Sequence, residues 1–178
     1  TEKRSEALDI FARMYAPLIG SGPVSDYLSQ TGLDVLKGAD ILKTAPQMYS
    51  SSVEYGGSPL AQWMKSVAQV HLADFGTRVF YTGVNPGTFD THANQATTLP
   101  KLWADVSTSI SDFYEDLKEH NANEEVVILL FTEFGRRVQE NGSGTDHGSG
   151  GVAFVIGDAV KGGLYGEYPS LEPEKLDS

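Results

Sequence analysis

Apolar residues recur every three or four positions along much of the chain, which is the spacing of one helix face. Residues 2–19 show this pattern, and the "GSGP" sequence at 20–23 interrupts it. Residues 24–45 predict one or two further short helices. The glycine- and serine-rich stretch at 50–59 has the composition of a loop. The first third of the chain is therefore predicted to be helical.

A more regular apolar stripe runs from Leu60 to Phe75. Ser58 suits the N-cap position and Pro59 the first helical position, while Gly76 suits the C-cap. We therefore predict a helix between these residues. A second long amphipathic helix is predicted further on, with Pro100 in its first turn.

Three segments have the composition and length of strands. Residues 77–84 alternate between β-branched or aromatic and other positions, and residues 152–156 are also apolar. Residues 126–132 form a continuous apolar run, as expected for a central parallel strand that is covered on both faces. Helices alternate with these strands, which predicts a right-handed βαβ unit. The expected fold is a three-layer α/β/α arrangement around a mostly parallel sheet.

This pattern divides the chain into two regions. Residues 1–57 form a predicted helical segment, and residues 58–178 form the predicted α/β region, which also contains the candidate chemistry. The 135–151 stretch, rich in Gly, Asn and Ser, is predicted to be a loop.

Composition narrows the classes of partner. The net charge is −11, from 24 acidic and 13 basic residues, so nucleic acid and anionic bilayers are unfavourable partners. No apolar run approaches the roughly 20 residues that a membrane helix requires. The absence of cysteine excludes disulfides, thiolate catalysis and cysteine-based zinc sites.

Three polar clusters lie next to predicted strands. In an open α/β sheet, binding sites form at the carboxyl ends of the strands, so these clusters could share one rim. Histidines and carboxylates without cysteine suit a divalent ion such as zinc, manganese, magnesium or calcium. The clusters are Asp90 and His92 after 77–84, Glu133, Arg136 and Arg137 after 126–132, and Asp146 and His147 before 152–156.

Each cluster also has a structural interpretation. Asp and Asn are common turn formers, so Asp90 and Asp146 could simply shape loops. Arg136 and Arg137 could bind an anion in a bidentate manner or pair with Glu133 or another carboxylate. The residues alone leave these alternatives open.

Longer motifs carry a resemblance to a known family. The sequences "FDTHANQ" at 89–95, "EFGRRVQENGSGTDHG" at 133–148 and "KGGLYGEYPSL" at 161–171 resemble the bacterial family called domain of unknown function 1501. The resemblance runs roughly from Ser58 to Leu171. This family in turn resembles the alkaline phosphatase and sulfatase superfamily, whose members hydrolyse phosphate or sulfate esters with two divalent cations.

The resemblance implies roles for individual residues. Asp90 and His92 are similar to an Asp and His pair of one metal, and His147 rather than Asp146 is similar to a late ligand of that metal. Where the superfamily has Asp-His, this chain has Glu133 and Phe134, so a second metal site would lack a ligand. The superfamily nucleophile comes from an upstream strand, and the resemblance therefore implies a partial domain.

Three functions remain possible at this point. The first is a metal-dependent hydrolase acting on a small-molecule or glycan phosphate or sulfate ester, with Glu133 and Arg136 in catalytic roles. The second is a catalytically inactive binding or structural domain fixed by metal, and the third is a metal-free α/β domain. An exposed sheet edge would favour homo-oligomers. The resemblance also implies export to the periplasm, although the residues leave the compartment open.

Overall fold

The fold is described from a computed structural model. It describes residues 2–167 and residue 170, without the side chains of residues 2–5, 7, 8, 37 and 41. The end of the "KGGLYGEYPSL" motif, at residues 168, 169 and 171, lies outside the described residues.

The chain is mainly helical, with short strands in its second half. The helices are α1 (Glu2–Tyr15), α2 (Pro23–Met48), α3 (Pro59–Leu72) and α4 (Gln95–Glu119), with 3-10 turns at Ala16–Leu18 and Asn123–Glu125. The strands are β1 (Ile128–Leu130), β2 (Gly135–Glu140), β3 (Thr145–Gly148) and β4 (Phe154–Ile156). Among the described residues, no helix is long and apolar enough to cross a membrane.

The chain divides into two compact units, 1–50 with 69–77 and 51–68 with 78–178. In the first unit, α1 packs on α2, where Gly32 is buried against the ring of Phe11. In the second unit, the buried apolar side chains come mostly from α3 and α4. They are Leu60, Ala61, Met64, Ala68, Val106, Phe113, Leu117 and Ala122.

The amphipathic pattern predicted α3 and α4, although α4 begins at Gln95, so that Pro100 lies inside this helix rather than in its first turn. Helix α3 begins at Pro59, and the hydroxyl of Ser58 accepts a hydrogen bond from the Ala61 amide at 3.2 Å, which confirms the N-cap. The helix ends at Leu72, four residues before the predicted Gly76 cap, and Asp74 adopts a left-handed conformation beyond it. Residues 23–48 form one helix, α2, rather than two short ones.

The prediction of a three-layer α/β/α fold with a mostly parallel sheet was wrong. The described residues contain only two small sheets, each of two antiparallel strands. Strand β1 pairs with β4, with Ile128 opposite Ile156, and β2 pairs with β3. No βαβ unit forms in this part of the chain.

The connection between β1 and β4 lacks the helix that usually joins parallel neighbours. It runs from residue 131 to residue 153 and contains the β2–β3 hairpin, and β4 pairs antiparallel with β1. The 135–151 stretch, predicted to be a loop, is therefore mostly this hairpin.

The predicted strand at 77–84 was also wrong. This segment has no regular secondary structure and joins neither of the two sheets, and Val79 and Tyr81 are each 85% exposed. The apolar run at 126–132 does contain a strand, β1, but only β4 pairs with it. Its continuous apolar character therefore does not reflect burial on two faces in the described structure.

Two anchors hold the second unit around α4. The Glu119 carboxylate accepts hydrogen bonds from the amide and hydroxyl of Ser52, at 3.0 and 2.6 Å. The hydroxyl of Tyr55 donates to the fully buried Asp116 at 2.7 Å. These bonds fix the 51–55 segment against the C-terminal end of α4.

Candidate metal site

The loop before α4 supplies two of the candidate residues. The Asp90 amide donates to the carbonyl of Gly87, which has a φ of +80°, so a tight turn precedes the aspartate. Phe89 packs edge-on against Trp103 of α4, with ring centroids 5.5 Å apart. The loop is thus tied to α4 immediately before Asp90.

The β2–β3 hairpin brings the other residues to this loop. Its turn is organised by Asn141, whose side-chain oxygen accepts the Gly144 amide at 3.0 Å. The side-chain amide of Asn141 donates to the His92 carbonyl at 3.1 Å, and the backbone amide of Gln95 donates to the Ser143 carbonyl at 3.0 Å. The hairpin turn therefore rests on the 92–95 loop.

Asp90, His92 and His147 converge where the loop and hairpin meet. The Oδ1 atom of Asp90 lies 2.7 Å from Nε2 of His147 and 2.9 Å from Nε2 of His92. One ligand atom from each residue can be chosen so that all three lie within 4.8 Å of one another. The side chains are 42–45% exposed, so the cluster is open to solvent.

The histidines control the electrostatics of Asp90. The hydrogen bond from His147 is the main cause of a lowered Asp90 pKa, and the charges of both histidines act in the same direction. Partial desolvation opposes this effect. The carboxylate therefore stays ionised to lower pH than usual, and an ionised carboxylate is the form that binds a cation.

Asp146 lies on the other side of His92. Its Oδ1 atom is 3.5 Å from Nδ1 of His92 and accepts a hydrogen bond from Asn141 at 3.0 Å. The bond from Asn141 is the main cause of a lowered Asp146 pKa, to which the charge of Arg137 also contributes. Asp146 thus contacts the ring nitrogen of His92 that faces away from Asp90.

Phe134 forms part of the site, a role that the sequence interpretation missed. Its ring stacks on the His147 imidazole, with centroids 3.9 Å apart and planes inclined by 16°. The sequence interpretation used Phe134 only as a residue that cannot bind metal. The sequence carried no signal for this stack, because it depends on the pairing of β2 with the "TDHG" strand, which was not predicted.

Arg136 fastens the two parts of the site together. Its guanidinium donates to the carbonyl oxygens of Thr145 at 2.6 Å and of Phe89 at 2.7 Å. Both bonds go to the backbone, one to the hairpin and one to the loop. The Arg136 guanidinium was predicted to hold an anionic ester, and such an ester would have to compete with these two bonds.

The remaining predicted residues lie outside the group of three. Glu133 is exposed between β1 and β2. Arg137 is also exposed, and its positive charge contributes to the lowered pKa of Asp146. The structure thus brings together Asp90, His92 and His147 directly, with Asp146 behind His92.

A cleft adjoins the hairpin turn on the side of α4. It has a volume of about 350 Å³, and Gly144 and Thr145 contribute to its lining together with Trp103. Thr145 is fixed there, because its hydroxyl donates to the side-chain oxygen of Gln95 at 3.0 Å. The cleft offers room for a small organic group, but Asp90, His92 and His147 do not line it.

These features define a helix-rich chain in which one loop and one hairpin assemble an Asp/His cluster. The chain belongs to the family described as "Protein of unknown function (DUF1501)", which matches residues 42–178. The predicted family membership is thereby confirmed. No curated protein and no solved structure matches the chain.

Proposed function

We propose that Asp90, His92 and His147 bind one divalent metal ion, and that this site serves hydrolysis of a phosphate or sulfate ester. The observation that carries the proposal is the convergence of two Nε2 atoms on a single carboxylate oxygen, at 2.7 and 2.9 Å. Two histidines and one carboxylate are a common ligand set of catalytic zinc sites, which leave a position open for water or substrate.

The spacing of the donor atoms fits such an ion after a small movement. Metal–ligand bonds of about 2.0–2.2 Å in a tetrahedral site separate neighbouring ligand atoms by roughly 3.4 Å. The contacts of His147 and His92 to Asp90 would have to lengthen by about 0.7 and 0.5 Å, and the exposed side chains have room to do so. Metal binding requires both Nε2 atoms to be free of protons, so any proton on these atoms would have to leave them.

Asp146 supports the proposal from behind His92. Metal-binding histidines usually present their other ring nitrogen to a carboxylate or carbonyl, which fixes the ring orientation and tautomer. Asp146 lies 3.5 Å from Nδ1 of His92, and Asn141 holds that carboxylate in turn. In this proposal Asp146 orients a ligand rather than binding the metal.

A bound divalent ion would act as a Lewis acid toward an ester oxygen and lower the pKa of a bound water or hydroxyl. The chain's own groups would position the substrate: Arg137 offers an exposed positive charge to the anionic group, and the cleft next to Trp103 receives the organic part. The superfamily resemblance supplies the reaction class.

Metal content and metal binding test the proposal directly. The purified 178-residue chain should take up Zn²⁺ or Mn²⁺ in a one-to-one ratio, and the double substitution His92→Ala/His147→Ala should abolish this uptake. The substitution His71→Gln, on α3 and outside the cluster, is the control. Absence of uptake by the folded wild-type chain would refute the proposal.

A second function is favoured by the distance in sequence between the ligands. Asp90 and His147 are 57 residues apart, so a metal between them would also cross-link the loop to the hairpin. Such an ion could stabilise a non-catalytic binding domain. Hydrolysis of 4-nitrophenyl phosphate or sulfate supports the first function, whereas a metal-dependent rise in Tm without hydrolysis supports the second.

A further inference from the structure

We propose that Phe134 is a positioning residue for His147, holding its imidazole ready for metal. This inference rests on the proposed metal site, but it concerns a side chain that cannot itself be a ligand. The ring of Phe134 lies nearly parallel to the imidazole, at a centroid distance of 3.9 Å and an angle of 16°. The side chain is half-buried, whereas the imidazole is 44% exposed.

The two backbone strands next to the Phe134–His147 stack approach each other closely. Gly135 lies opposite Gly148 in the hairpin, and a Cβ atom at Gly135 would stand 2.7 Å from the Gly148 carbonyl oxygen. A Cβ atom at Gly148 would stand 2.8 Å from the amide nitrogen of Arg137. Only glycine tolerates these separations, and this approach brings together the strands that carry Phe134 and His147.

Arg136 holds the phenyl ring in turn. Its guanidinium lies over the Phe134 ring, with the central carbon 5.0 Å from the ring centroid, and is fixed by two backbone carbonyls. A cation at this distance is attracted to the ring face. Since the guanidinium cannot turn away without breaking both bonds, Phe134 presents a fixed face to the imidazole.

The stack limits the directions in which Nε2 of His147 can point. An exposed histidine on a strand would otherwise exchange between rotamers, and ordering it on metal binding would cost entropy. Stacked on Phe134, the imidazole already directs Nε2 toward Oδ1 of Asp90 at 2.7 Å. His92 receives the corresponding support from Asp146, so each histidine has its own partner outside the ligand set.

Replacement of the phenyl ring tests this role. Isothermal titration with Zn²⁺ should give a dissociation constant about tenfold higher for Phe134→Leu than for the wild-type chain, the lower end of what outer partners of metal ligands contribute. Phe134→Tyr keeps the ring face and should restore wild-type binding. Phe131→Leu makes the same change at a phenylalanine that is 56% exposed outside the cluster, and it should bind as the wild type does.

A spectroscopic measurement reports on the stack itself. The phenyl face shields the ring protons of His147, so their NMR signals should move downfield in Phe134→Leu, and by more than those of His92 move. If Phe134→Leu is unfolded by circular dichroism, Phe134→Met takes its place with the same expected results.

The outcomes separate the two proposals. If the wild-type chain binds Zn²⁺ and Phe134→Leu binds equally well, the positioning role is refuted while the metal site stands. If Phe134→Tyr loses as much affinity as Phe134→Leu, ring stacking is not the cause and the role is again refuted. If the folded wild-type chain binds no Zn²⁺, both proposals fall.

Discussion

Gly144 lies directly against the backbone of His92: a Cβ atom at Gly144 would stand 2.5 Å from the His92 carbonyl oxygen. It would also stand 3.1 Å from the amide nitrogen of Ala93. Both neighbours are backbone atoms, which cannot rotate away as the end of a side chain can. The contact between hairpin turn and loop therefore requires glycine at this position.

The first prediction follows from this contact. Gly144→Ala should force the loop away from the hairpin and lower the free energy of unfolding by about 1–3 kcal/mol, as overpacking does elsewhere. It should also weaken Zn²⁺ binding, because His92 moves with the loop. Urea unfolding and calorimetric titration measure the two effects.

Gly151→Ala is the matched control for this prediction. A Cβ atom there would meet only Cα of Gly135 at 3.6 Å, which is an ordinary contact. We expect its free energy of unfolding to stay within about 0.5 kcal/mol of the wild type. Equal effects of the two substitutions would show that the Gly144 contact has no special role.

The second prediction concerns Asn141. Its amide donates to both the His92 carbonyl and the Asp146 carboxylate, and its oxygen accepts the Gly144 amide. Asn141→Ala removes these bonds, together with a longer one from the Ser143 amide at 3.4 Å, and should raise the Zn²⁺ dissociation constant by about 10- to 100-fold, the range measured for outer partners of metal ligands.

Two further variants of this kind sharpen the test. Asn141→Asp keeps an acceptor for Gly144 but loses the donor and places a second negative charge beside Asp146, so it should not restore binding. Asn85→Ala changes an exposed asparagine in the preceding turn and should bind like the wild type. Wild-type affinity in Asn141→Asp would mean that its two donated bonds are dispensable.

The sequence predicted the helices because helix formation depends on neighbours in the chain. The apolar stripe from Leu60 and the Ser58 cap are local signals, and both were confirmed. Strand pairing is not local: β1 and β4 were placed correctly, but they pair with each other across the whole β2–β3 hairpin. The composition of 135–151 is typical of a loop, and this concealed the hairpin.

The sequence singled out the residues of the candidate site but not their surroundings. Asp90, His92 and His147 were predicted from their residue types, and the structure brings these three side chains together. The stack of Phe134 on His147 and the approach of Asp146 to Nδ1 of His92 depend on the hairpin register and on the loop it touches. Neither relationship follows from spacing in the chain.

The third prediction is a pH dependence of stability at Glu119. Hydrogen bonds from the hydroxyl and amide of Ser52 lower the Glu119 pKa below its ordinary value of 4.5. Because the folded-state pKa is the lower one, the stabilisation is complete above pH 4.5 and is lost as pH falls through the folded value. Glu119→Gln should therefore be less stable than wild type at pH 7, and the difference should shrink as the pH falls below 4.5.

Urea unfolding at several pH values measures this difference. Glu124→Gln is the control. Glu124 is exposed in the 3-10 turn Asn123–Glu125 that follows α4, so the stability difference between this variant and the wild type should depend much less on pH. A constant difference between Glu119→Gln and wild type from pH 3 to pH 7 would contradict the role given to the ionised carboxylate.

The fourth prediction concerns the apolar surface of β1. Val127, Leu129 and Phe131 are 56–60% exposed, and Leu129 lies opposite the exposed Val155 of β4. An exposed apolar strand favours association between chains. Leu129→Lys should therefore reduce self-association in sedimentation experiments, while changing the free energy of unfolding by no more than about 0.5 kcal/mol.

The neighbouring residue gives the contrast that decides this prediction. Leu130 is half-buried on the other face of the strand, so Leu130→Lys should lower the free energy of unfolding by roughly 1–3 kcal/mol. The two substitutions are chemically identical and one residue apart, and only the alternation of a strand separates their effects. Equal destabilisation by both would mean that β1 is covered on both faces, as the continuous apolar run first indicated.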